Sequence, residues 1–165
     1  MELFTPRTTM VKYNESDFEA FCEVVCNDEV MLNISGKGHS KKEAKKKFVA
    51  LLITNQESVY YGVYKVCLLK TDKVIGFAKI VPFENDEMEI GYALLPMYWR
   101  KGLTIEMIQK MISHCHNYLP DKKIIAIVND DNRGSLEILN KFNFKVYKKR
   151  VFKRVKCLFL KYTEH

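Results

Sequence analysis

No stretch of this 165-residue chain comes near the ~20 consecutive apolar residues of a membrane span, and the opening MELFTPRTTM has no apolar core of a secretory signal. The expectation is a soluble, cytoplasmic protein with no membrane partner. The five cysteines, Cys22, Cys26, Cys67, Cys115 and Cys157, include no Cys-x-x-Cys pair and fall in different predicted elements, which argues against a disulfide framework and against a bound metal. His114 and His116 flank Cys115, but neighbours on a helix point in different directions. Cys115 fits an apolar stripe, and the two histidines are expected beside it on the surface. No repeat, linker or low-complexity tract interrupts the chain, so a single domain over residues 1–165 is expected, long enough to bury a core unaided.

Acidic residues are missing from one region. Residues 138–163 hold nine Lys or Arg and no Asp or Glu, so the net charge of +7 is local and the rest of the chain sums to about −2. Solvated strands with basic outer faces are the favoured reading over nucleic-acid contact. The opposite bias occurs in ENDEME, residues 84–89, with four acids in six positions. Such a turn either stays soluble by its charge or attracts a cationic acceptor.

Periodicity orders the rest. Residues 3–13 read as a strand restricted by Pro6 near its start. Ser16 and Glu19 form a Ser-x-x-Glu capping signature for a helix running to about Cys26, and Ser40 with Glu43 repeats it for a second helix carrying Ala44, Phe48, Leu51 and Leu52. Gly36 and Gly38 break the chain between them. Residues 61–69, 74–82 and 89–95 are β-rich, and a helix over 104–118 precedes the apolar run IIAIV at 124–128. A last helix over 135–142 ends at Asn143, a residue suited to a left-handed cap, before strands at 144–152 and 155–162. This order fits a mixed α/β sheet with helices on both faces.

The stretch YWRKGLTI, residues 98–105, stands where a strand, a glycine-containing loop and a helix N-terminus meet. Unpaired N–H groups and the positive end of the helix dipole suit a phosphate there, and Arg100 and Lys101 add positive charge.

Three blocks in order, LFTPRTTMVKY, EIGYALLPMYWRKGLT and NDDNRGSLEILNKFNFKVY, resemble the GNAT superfamily of acetyl-CoA-dependent N-acetyltransferases, and within it the RimJ/RimL-like group that includes ribosomal-protein N-terminal acetyltransferases. The resemblance implies a central, mostly antiparallel mixed sheet of about seven strands, splayed between the fourth and fifth. The family's Q/R-x-x-G-x-G/A diphosphate loop falls on residues 99–104: Gly102 matches, Trp99 takes the first place, and Thr104 departs from the small last residue. By that resemblance Arg100, Lys101, Gly102, Leu103, Thr104 and Ile105 bind the diphosphate of acetyl-CoA, the cosubstrate. Tyr92, Ala93 and Leu94 offer a backbone edge to its pantetheine arm, and Asn132 contacts it further along.

The implied reaction is direct acetyl transfer to a primary amine on a protein N-terminus, a polyamine or another small amine. Glu89 is the expected base, with Glu87, on the same strand face, as the alternative. The family's tyrosine acid falls on Leu139, which cannot serve; by the same resemblance Ser135 matches the position of the serine implicated in the ribosomal-protein group, unless it only caps its helix. Two other functions stay open: a non-catalytic acyl-CoA sensor, suggested by Leu139 and Thr104, and a ribosome- or RNA-associated binder using the basic C-terminal strands. Those strands can also pair between chains in a homodimer.

Overall fold

The computed structural model describes residues 1–164. Its elements are β1 (Leu3–Phe4), β2 (Thr8–Lys12), α1 (Phe18–Val25), α2 (Asp28–Ser35), α3 (Lys41–Glu57), β3 (Gly62–Leu68), β4 (Val74–Pro82), β5 (Glu87–Leu94), α4 (Leu103–Tyr118), β6 (Lys123–Asn129), α5 (Arg133–Lys141), β7 (Phe144–Phe152) and β8 (Val155–Tyr162). The strands form one mixed eight-stranded sheet in the order β1-β2-β3-β4-β5-β6-β8-β7. Every neighbouring pair is antiparallel except β5 and β6. No helix among the described residues is long and apolar enough to cross a membrane.

The eighth strand comes from the N-terminus. Residues 3–13 form a tight hairpin and not one strand, with Leu3 opposite Met10 and Phe4 opposite Thr9. Pro6 cannot donate to a ladder, and the Thr5 N–H instead closes onto the Thr8 carbonyl at 2.8 Å.

Strand alternation sends side chains to two cores. On one face Tyr64, Ile80, Ile90 and Ala126 pack against Met107, Ile108 and Met111 of α4 and Leu139 of α5. On the other, Phe21, Val24, Met31 and Phe48 of α1–α3 cover Val63, Phe77 and Ala93. Each fully buried side chain of this size contributes about 1.5–3 kcal/mol.

Local signals were partly reassigned. The Ser40–Glu43 capping box forms, with reciprocal bonds of 2.8 and 3.2 Å. The Ser16–Glu19 box does not: Asn14 and Asp17 form the box ahead of α1, over a 3-10 turn at Glu15–Asp17, and Glu19 pairs with Lys41. A helix absent from the sequence reading, α2, starts at the Asn27 cap and ends at left-handed Gly36. Asn143 does adopt the left-handed conformation, with φ of 62°.

The two charge-biased segments answer each other. Glu84 pairs with Arg150 at 2.9 Å and Lys148 at 3.9 Å, Asp86 with Lys122 at 3.5 Å, and Glu87 with Lys161 at 3.6 Å. With Glu89 held by Lys79 at 2.6 Å, all four acids of the segment are committed to basic residues, three of them chiefly to those of β7 and β8. This leaves little of the turn's charge to attract a cationic acceptor.

His114 also departs from expectation. It is 2% exposed, packed beside Tyr118, with Nε2 2.6 Å from the Tyr60 carbonyl. His116 does lie near the surface, where it meets Glu164. Burial holds the His114 pKa below its ordinary value, against the opposing pull of the Tyr60 bond. The unfolded chain, near ~6.5, therefore binds the proton more readily, and stability is lost as pH falls below that value. The urea midpoint is expected to drop between about pH 7.5 and about pH 5.5, and to drop less in His114→Gln.

Candidate functional site

The β5–β6 ladder is short. It pairs Glu87 with Lys123, Met88 with Ile124 and Glu89 with Ile125, and then stops. Beyond it β5 stays registered on β4 as far as Leu94 opposite Gly76, and β6 stays on β8 as far as Asn129 opposite Cys157. Two half-sheets thus diverge, and a gap opens between residues 90–94 and 126–129.

The direction of the β5 backbone groups follows from three bonds. The Asp86 carbonyl accepts from Lys123 on the β6 side, whereas the Glu87 carbonyl accepts from Phe83 and the Leu95 N–H donates to Ile75 on the β4 side. Alternation then turns Tyr92 and Leu94 toward the gap and Ala93 toward β4, opposite Phe77. Two of the three expected edge residues face the gap. Ala93 contributes a side chain buried against the α1–α3 core. The Leu94 carbonyl accepts a 2.7 Å bond from the Trp99 indole, which ties the following loop to the end of β5.

That loop runs through a 3-10 turn at Pro96–Tyr98, extended Trp99, Arg100 at φ 56° and Gly102 at φ 78°, where α4 begins. A left-handed residue followed by a right-handed helix gathers successive N–H groups into a concave anion seat. The first-turn N–H groups of Leu103, Thr104 and Ile105 extend that seat. A Cβ on Gly102 would lie 3.2 Å from Arg7 Nη2, with no other described residue beyond its chain neighbours within 4 Å. Holding Arg100 left-handed costs about 1–2 kcal/mol, which Gly102 avoids. Exposed Arg100 and Lys101 flank the seat, Thr104 is half-buried, and the Ile105 side chain is exposed. This donor set fits a diphosphate.

Arg7 is a site residue that sequence reasoning missed. Its guanidinium meets Glu106 Oε1 through Nη2 at 2.6 Å and Nε at 2.7 Å, and Thr5 Oγ1 reaches the other carboxylate oxygen at 3.2 Å. The pair binds the β1–β2 turn to the first turn of α4. The only signal was a lone arginine in a predicted strand, with nothing local to connect it to residue 102.

On the β6 side, Asn132 caps α5 by accepting the Ser135 N–H at 3.2 Å. Its amide NH2 is not used in that bond. Ser135 is therefore inside the first turn and not the cap, and its hydroxyl shares a cavity with Tyr92. The Tyr92 hydroxyl is buried without a full hydrogen bond. Burial raises its pKa, and the nearby Ser135 hydroxyl offsets part of that rise. Leu139 is wholly buried in the α4 core.

The cavity, about 560 Å³, passes from this gap beneath α1–α3. Glu89 lines it, 8% exposed, with Lys79 Nζ 2.6 Å from Oε1. Lys79 reaches across Gly91, where a Cβ would stand 2.6 Å from Lys79 Cε. Glu87 does not line the cavity; besides Lys161 it accepts from the Tyr147 hydroxyl at 3.2 and 3.3 Å. Lys47 and Lys153 also line the cavity.

A family model for the acetyltransferase (GNAT) domain matches residues 7–145. The uncharacterized N-acetyltransferase p20 of Bacillus licheniformis is 26% identical over 145 residues, 87% of this chain and 82% of its own. An acetyltransferase from Agrobacterium tumefaciens shares the fold with a TM-score of 0.83 at 18% identity, over 99% of this chain and 95% of that one. RimL, a ribosomal L7/L12 alpha-N-protein acetyltransferase solved in complex with coenzyme A, superposes with a TM-score of 0.78 at 15% identity, over 98% and 96% of the two chains. The splayed strand pair, the left-handed glycine opening α4 and the family match agree: the chain belongs to the GNAT acetyltransferase family.

Proposed function

We propose that the chain transfers an acetyl group from acetyl-CoA to a primary amine by direct attack, in the gap between β5 and β6. The observation that carries the reading is the convergence, on one gap, of the anion seat at Gly102, the backbone edge at Tyr92 and Leu94, and the buried polar side chains Glu89 and Tyr92. RimL, which shares the fold and was solved with coenzyme A, supports the choice of cosubstrate.

Acetyl-CoA supplies an activated acetyl thioester that a neutral amine takes up directly, releasing the thiol. The chain's own residues bind and move protons around that exchange. The N–H groups of residues 102–105, with Arg100 and Lys101, hold the diphosphate, and the Asn132 amide donates further along. The Leu94 N–H faces the gap as a donor for a carbonyl oxygen. Lys79 fixes one oxygen of Glu89 and leaves the other to accept a proton from the amine, directly or through water. On the opposite side the Tyr92 phenol, kept protonated by burial, donates toward the leaving thiolate. It thus takes the part for which Leu139 is unsuited, with the Ser135 hydroxyl beside it.

Three variants test these roles. Gly102→Val is expected to weaken acetyl-CoA binding at least about tenfold by calorimetry, because a branched side chain resists positive φ and displaces Arg7. Unchanged affinity would remove the loop from the site.

For Glu89→Gln the pH profile is decisive. A free α-amine near pKa ~7.8 is roughly 15% neutral at pH ~7 and more than 90% neutral at pH ~9. The rate deficit of the variant should shrink across that range, whereas a deficit constant with pH would mark Glu89 as structural.

Tyr92→Phe removes a buried hydroxyl that lacks a full bond, so stability should hold or rise while kcat falls about tenfold or more. Equal kcat in Tyr92→Phe and the wild type would return the acid role to Ser135 or solvent.

A further inference from the structure

Charged groups in the cavity are out of balance. Lys47 from α3, Lys79 from β4 and Lys153 from the β7–β8 turn line it, against Glu43 and Glu89. Glu43 is turned to the Ser40 N–H at the start of α3, where it closes the capping box. Glu89 is taken by Lys79. Of the other titratable groups of the lining on this side, His39 has its pKa lowered, first by burial and then by Lys47, so it adds no further charge, and burial pushes the Cys157 thiol up, so it supplies no anion.

Lys47 and Lys153, both exposed where the cavity opens to solvent, are left over: among the described residues neither forms an ion pair or a hydrogen bond. Lys153 only stands over the Phe152 ring at 5.2 Å. Its pKa lies below the ordinary lysine value, first from burial and then from the Lys79 and Lys47 charges, against a weaker pull from Glu89. Mutually repelling ammonium groups that share one cavity, and lack an anion of their own, are stabilised by an anion delivered from outside.

We infer that the acceptor is an amine that also carries a carboxylate or phosphate group, with Lys47 and Lys153 engaging the anion while its nitrogen lies toward Glu89. This rests on the acetyl-transfer reading above and narrows it. A polyamine would bring further positive charge toward Lys47 and Lys153 and is disfavoured. An amino-acid-like small molecule and an acidic peptide N-terminus present the same chemistry, and the cavity is large enough for either a small amine or the first residues of a peptide.

The test is acetyl-CoA-dependent thiol release by the full chain with matched acceptors. One arm compares β-alanine with β-alaninamide. The other compares peptides beginning Ser-Asp-Glu, Ser-Asn-Gln and Ser-Lys-Lys, and spermidine is included in both. In at least one arm, kcat/KM for the anionic acceptor is expected to exceed that of its amide counterpart by on the order of tenfold, the scale of a charge-assisted hydrogen bond. The arm that shows the preference identifies the source. In Lys47→Gln/Lys153→Gln that ratio should narrow to within about threefold, because the anion has lost its partners.

Turnover with no anionic preference, or a preference for spermidine or Ser-Lys-Lys, would overturn this inference and leave acetyl transfer standing. An anionic preference that survives in the double variant would overturn the assignment to Lys47 and Lys153. Thiol release with none of these amines would overturn acetyl transfer to a primary amine, and the inference with it.

Discussion

The site depends on a parallel strand pair that ends early. After Glu89 and Ile125 the ladder stops, because β5 and β6 each stay in register with a different antiparallel partner. A sheet interrupted in its middle leaves polar backbone groups facing a gap, which is costly unless something pairs with them. The architecture thus creates an edge that an amide-bearing ligand can satisfy, at the C-terminal end of a strand joined by a single loop to a helix N-terminus. Backbone edge and anion seat occur together because one short connection, held by Trp99 against Leu94, joins them.

Charge is arranged around that gap in two ways. At the outer end of the sheet, the acids of residues 84–87 and the bases of β7 and β8 neutralise one another, so the net +7 is not spread evenly over the surface. Inside, the pairing is incomplete. Lys79 and Glu89 form a close pair within the cavity, whereas Lys47 and Lys153, exposed at its opening, have no acid of their own among the described residues. Isolated surface pairs contribute little to stability, so the outer pairing chiefly removes charge that would otherwise compete with the site.

Much of this was legible in the sequence because it rests on local signals. Gly102 before a periodic apolar helix, the Ser40–Glu43 box and left-handed Asn143 are decided within a few residues, and all took their expected forms. What escaped depended on contacts across the chain. His114 is buried because Tyr60, 54 residues away, provides its partner. Arg7 reaches the anion seat only through its contact with Glu106. Ala93 was misjudged for a different reason: a motif register gives position along a strand, but which neighbouring strand a residue's N–H faces depends on parity. The role open to the Tyr92 phenol was equally illegible, because its burial and its neighbour Ser135 come from strands and a helix far along the chain.

Trp99 is the only tryptophan in the chain, and its indole is bonded to the strand end at the mouth of the gap. Excited at the red edge, where the nine tyrosines do not absorb, the emission of this protein therefore originates at the mouth of the gap. A ligand that seats on the loop, or a change that frees the indole from Leu94, alters the surroundings of the one tryptophan, so the molecule carries its own optical gauge of loop order.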